Sequence, residues 1–116
     1  LVSRSHLFVP IFDIDPIQMR PTDQKWGQTG SRHGAHNIWL DMEKNDLIYI
    51  AWFNAGLRII DWSNPFNPKE VGSYIPAGNK DRCCPQSNDV YVDKETGLIY
   101  MSDRWGLGLH ILEYTG

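Results

Sequence analysis

Apolar and polar residues alternate in short blocks along this chain, and no block is long enough for a helix. Leu47–Ala51 and Leu57–Trp62 are apolar runs rich in β-branched and aromatic residues, separated by the turn signal Asn54-Ala55-Gly56 and ended by Ser63-Asn64-Pro65. Two such runs about a Gly-containing loop predict a β-hairpin. Leu98-Ile99-Tyr100-Met101 and Leu109–Tyr114 repeat the hairpin near the end. A further strand is expected before each hairpin, at Asn37–Asp41 and at Asp89–Asp93, and a fourth at Glu70–Ile75.

The blocks form an internal repeat. Asn37-Ile38-Trp39-Leu40-Asp41 matches Asp89-Val90-Tyr91-Val92-Asp93, 52 residues on. Leu47-Ile48-Tyr49-Ile50 matches Leu98-Ile99-Tyr100-Met101 at 51, and Gly56–Trp62 matches Gly108–Tyr114 at 52. Phe8–Pro16 echoes Arg58–Pro65 as a partial copy. Each full unit reads strand, turn, strand, loop, strand, turn, strand, and the last connection holds Pro65 and Pro68, which no central strand would tolerate.

Repeats of this length with four strands predict an all-β fold of β-propeller blades, each a four-stranded antiparallel meander. About two blades are expected in a single partial propeller unit spanning 1–116: closing strands in 1–30, a full blade in 31–77, and a blade lacking its fourth strand in 78–116. A weak strand around Lys25-Trp26-Gly27 is expected to complete that last blade. Because a blade needs neighbours on both faces, the ring is expected to close by homo-oligomerisation or with the remainder of a longer propeller. The chain opens on Leu1 without an initiator Met or a visible signal peptide, which fits a mature, trimmed or incomplete chain.

Composition narrows the partners. The 116 residues carry a net charge of −3 with no basic run, which argues against nucleic acid. The longest apolar runs are strand-length, so no membrane-spanning helix is expected. Five Trp and five Tyr fall mostly on the strand pattern and are expected in the core. Cys83 and Cys84 are neighbours, and a bond between adjacent residues would be strained, so free thiols or bonds to other chains are expected.

Candidate chemistry gathers on one rim. In a meander, the loop leading into the first strand and the loop joining the second to the third share one end. These loops hold Ser31–Asn37, Trp52-Phe53-Asn54, Cys83–Asp89 and Asp103-Arg104-Trp105. The expected ligand-binding residues are His33, His36, Asn37, Trp52, Asn54, Asn88, Asp89, Asp103, Arg104 and Trp105. Asp103-Arg104-Trp105 suits a polar or sugar-like ligand, or else an Asp–Arg pair bracing two blades. His33, His36, Cys83 and Cys84 are the candidate metal ligands, for copper or zinc. Asp41, Glu43, Asn45 and Asp46 lack the Gly and distal Glu of a calcium loop and read as a solvated turn. No nucleophile elbow or phosphate loop is present, so no catalytic residue is assigned.

Leu57-Arg58-Ile59-Ile60-Asp61-Trp62-Ser63-Asn64-Pro65, followed by Pro68-Lys69-Glu70-Val71-Gly72, resembles the LVIVD-repeat family of β-propellers. His36-Asn37-Ile38-Trp39 and Asn88-Asp89-Val90-Tyr91 fit the same pattern, and the resemblance spans about residues 7–77 and 86–114. It implies the propeller repeat and no particular activity; from the placement of the loops, the chain is expected to be a scaffold that binds a ligand or protein partner at the channel mouth. The family is mostly bacterial and archaeal and often exported, which favours an extracellular or periplasmic location. Its distant similarity to selenium-binding protein and methanethiol oxidase propellers implies the alternative, a copper- or zinc-dependent oxidoreductase or hydrolase.

Overall fold

The computed structural model describes residue 32 and residues 34–40, 46–82 and 84–116. The expectations for 1–31, including the Phe8–Pro16 copy and the Lys25-Trp26-Gly27 strand, and those for 41–45, lie outside them. Among the described residues there are seven strands and no helix. β1 (Asn37–Leu40), β2 (Leu47–Ala51), β3 (Leu57–Asp61) and β4 (Lys69–Tyr74) form one antiparallel meander in the order β1-β2-β3-β4. β5 (Ser87–Val92), β6 (Ile99–Asp103) and β7 (Leu109–Leu112) form a second, β5-β6-β7. The protein is thus all-β, built from propeller-like units.

The repeat is visible in the hydrogen bonds as well as the strands. Trp52 N–H donates to the Gly56 carbonyl at 2.8 Å, and Asp103 N–H donates to the Gly108 carbonyl at 3.0 Å, closing the same hairpin in each sheet. Both glycines have positive φ, +74° and +86°, a conformation that side-chain-bearing residues rarely adopt. Gly56 is further constrained by packing. A Cβ there would lie 2.0 Å from the Tyr74 carbonyl oxygen of β4.

Alternation along the strands sorts the residues into faces. Trp39, Tyr49, Ala51, Leu57 and Ile59 of the first sheet pack against Val90, Val92, Ile99, Met101 and Leu112 of the second. The opposite face of the first sheet carries Ile48, Ile50 and Ile60, buried with Leu40, Trp52 and Trp62 against them. The stacking is therefore head to tail. Val90, Ile99, Met101 and Leu112 are the repeat counterparts of Ile38, Ile48, Ile50 and Ile60, so one sheet's first face meets the next sheet's second face. The counterparts of Trp39, Leu57 and Ile59 are Tyr91, Leu109 and Ile111, which are 50%, 60% and 58% exposed.

The second sheet differs from its expected outline at one end. β5 begins at Ser87 rather than Asp89, with a bulge between Ser87 and Asp89. The extra residue bridges to the first sheet, where Ser87 N–H donates to the Phe53 carbonyl at 2.9 Å. Phe53 itself has φ +29°. Within its own sheet Ser87 pairs with Asp103 across the bulge, so the strand runs two residues past the start that its apolar alternation predicts.

Candidate functional site

The loops leading into β1 and β5, and those joining β2–β3 and β6–β7, meet at one end of the two sheets. Gln86 is the hub. Its side-chain Oε1 accepts from Arg32 N–H at 3.0 Å, and its Nε2 donates to the Arg32 carbonyl at 3.1 Å. The side chain thus pairs with that backbone as a strand would. Gln86 is 1% exposed, and a buried amide requires these partners. The loop is tied again where Asn54 N–H donates to the Arg32 carbonyl at 3.3 Å.

Asp103 organises the other side. Its carboxylate accepts from the backbone N–H groups of Gln86, of Trp105 at 2.7 Å and of Leu107 at 3.3 Å. Arg104 N–H donates to the Gln86 carbonyl at 3.0 Å, while its residue is exposed. The expected Asp–Arg brace is instead a carboxylate holding backbone amides. Bracing between loops is achieved, but by the chain rather than by a guanidinium.

His36 crosses from the first unit to the second. Its Nδ1 donates to the Asn88 carbonyl at 2.7 Å, because a carbonyl can only accept. In the neutral ring this leaves Nε2 as the acceptor, on an exposed residue. The ring lies 4.7 Å from Phe53, and the Arg32 guanidinium stands 6.0 Å from the same Phe53 ring. On the flank, Arg82 Nε donates to the Trp105 carbonyl at 3.0 Å, with its guanidinium 5.8 Å from the indole.

The structure brings His36, Asn37, Trp52, Asn54, Asn88, Asp89, Asp103, Arg104 and Trp105 to this rim, in two layers. Asn54, Gln86 and Ser87 are buried beneath and His36 and Arg104 are exposed above, while Asp89, also exposed, shares the sheet face of Tyr91 and Leu109. Asp89 spends one oxygen locally, accepting its neighbour Val90 N–H at 2.9 Å. His33 and Cys83 lie outside the described residues. Gln86 was missed as a functional position, and only its place before an inner strand hinted at it. Arg58 was missed too: a cation inside an apolar run, 1% exposed and bonded to Glu70 at 3.1 Å.

One expectation is corrected. Cys84 is fully buried and disulfide-bonded, where the sequence suggested free thiols or bonds to other chains. A thiolate at Cys84 is therefore not available to a metal while the bond is intact. Among the described residues no three His, Cys, Asp or Glu side chains come together as a metal-holding group. Nor is any helix among them long and apolar enough to cross a membrane.

These features define a class: a protein of stacked, propeller-like antiparallel sheets with a polar rim. Residues 35–75 match the LVIVD repeat, in agreement with the resemblance read from Leu57–Gly72. No match to a curated protein or to a solved structure was found.

Proposed function

We propose that this chain is a β-propeller repeat scaffold that binds a small polar ligand or a protein partner on the rim around His36 and Arg104. One observation carries the reading: exposed polar side chains stand on a frame of buried, mutually hydrogen-bonded backbone and amide groups. A preorganised frame loses little entropy on binding, which is what a recognition surface needs. A thermal-shift screen against sugars, organic acids and divalent metals tests it. The expected hit loses its shift in His36→Ala or Arg104→Ala and keeps it in Glu95→Ala, on the opposite end. A hit insensitive to both rim variants overturns the assignment.

The scaffold is completed by further blades, from other copies of the chain or from the remainder of a longer one. The exposed row Tyr91, Leu109 and Ile111 supports this, because its counterparts in the first sheet are core residues. Head-to-tail stacking is a heterologous contact, the kind that closes rings. Light scattering on the chain is expected to give a mass above the 13.4 kDa of one copy. A cooperatively folded monomer would count against assembly. On this proposal 1–116 is one partial propeller unit, whose last sheet is three-stranded among the described residues.

The metal-dependent alternative would use His33, His36 and Cys83 or Cys84; of its histidines, His36 is the one among the described residues, and its bond to Asn88 fixes the ring through Nδ1.

A further inference from the structure

Two arginines flank Gln86 on the rim, and the main chains of both are bonded to it. Arg32 N–H and its carbonyl pair with the Gln86 side chain at 3.0 and 3.1 Å, while Arg104 N–H donates to the Gln86 carbonyl at 3.0 Å. Both arginines are exposed and both leave from one buried residue. The Arg32 guanidinium lies 6.0 Å from the centroid of the buried Phe53 ring, a contact that steadies the group and consumes none of its N–H donors.

The acids nearby are committed elsewhere. Asp103, next to Arg104, gives one carboxylate oxygen to Gln86 N–H and the other to the N–H groups of Trp105 and Leu107. Asp89 lies on the sheet face of Tyr91 and Leu109. Asp81 neighbours Arg82, whose guanidinium is already turned to the carbonyl and ring of Trp105. Among the described residues no carboxylate pairs with Arg32 or Arg104. A chain of net charge −3 thus sets two unneutralised cations on its best-braced loops.

We propose that the rim is an oxyanion site, in which Arg32 and Arg104 together hold a small molecule bearing carboxylate or phosphate groups. The planar guanidinium fork matches either group with two parallel N–H···O bonds. One exposed ion pair contributes little, so the site selects ligands with two or more anionic groups that engage both arginines. The proposal rests on the rim reading above and deepens it by naming the ligand class.

Isothermal titration of the full chain with citrate and with pyrophosphate tests it, beside acetate as a single charge and glucose as an uncharged ligand. One of the first two should bind with Kd below ~1 mM, and acetate and glucose at least about tenfold more weakly. The tighter of the two identifies carboxylate or phosphate as the group recognised. Arg32→Gln and Arg104→Gln should each weaken binding about 3–10-fold, and the double variant should lose it. Arg32→Lys and Arg104→Lys keep the charge without the fork and should lose less. Lys69→Gln removes a cation at the opposite end of the sheet and should change nothing. Failure of both polyanions to bind, binding that survives the double variant, or an equal loss in Lys69→Gln overturns the proposal. Tight glucose binding that disappears in His36→Ala also overturns it, while leaving the rim reading in place.

Discussion

The ring of Tyr114 is seated against Gly72: a Cβ on that glycine would lie 3.1 Å from Tyr114 Cε2 and 3.2 Å from Ile59 Cδ1. This is where the outer parts of the two sheets meet, and the Tyr114 hydroxyl reaches toward the Val71 carbonyl at 3.5 Å. Gly72 closes the Pro-Lys-Glu-Val-Gly segment, so the repeat's glycine has a packing reason. Gly72→Val should destabilise by about 1–3 kcal/mol through overpacking. Tyr114→Ala should cost about 1–3 kcal/mol in lost burial. Combined, they should cost less than their sum, because truncating the ring removes much of the clash. Urea unfolding of the four proteins measures the coupling; strict additivity would mean the ring and the glycine do not meet.

Gly56 and Gly108 offer a paired comparison. Gly108→Ala should cost about 1–2 kcal/mol, the strain of positive φ on a residue with a Cβ. Gly56→Ala bears that strain and also drives a methyl into the Tyr74 carbonyl, so it should cost more than about 3 kcal/mol or displace β4. Denaturation midpoints of the two variants settle the order. Equal costs would show that β4 does not crowd its glycine.

The sheets were readable in the sequence because their signal is local. Gly56–Trp62 and Gly108–Tyr114 carry the same order of turn glycine, apolar run and acid, and both became the same hairpin. The rim was readable only as a location. Asp103 looked like half of an ion pair because sequence shows which charges are adjacent, not which backbone amides a turn brings within reach. Gln86 bonds to Arg32, 54 residues away, and that closure exists only once two sheets stack.

Asp103 should behave as a structural residue. Asp103→Ala strands three backbone N–H groups, those of Gln86, Trp105 and Leu107. A loss of roughly 2–4 kcal/mol is expected, since orphaned buried donors are costly. Asp103→Asn keeps a carbonyl acceptor and should lose less. If Asp103→Ala left the melting temperature unchanged while abolishing binding of a rim ligand, the carboxylate would belong to the recognition layer.

Acid stability is set in part by two turn carboxylates. Asp93 is held below the usual carboxylate range first by the Thr96 hydroxyl, which donates at 2.6 Å, and next by Glu95 N–H at 3.1 Å. Asp61 is lowered first by the Ser63 N–H, at 2.9 Å. A carboxyl whose folded pKa is depressed adds stability that is complete above its unfolded pKa and lost as pH falls through the folded one. Both contributions should therefore be present at neutral pH and fade below about pH 4. Asp93→Ala removes the acceptor at every pH, so its deficit against the parent should be largest near pH 7 and shrink by pH 3. Denaturant unfolding at both pH values tests this. A deficit that stayed constant would show that the Thr96 bond favours neither protonation state.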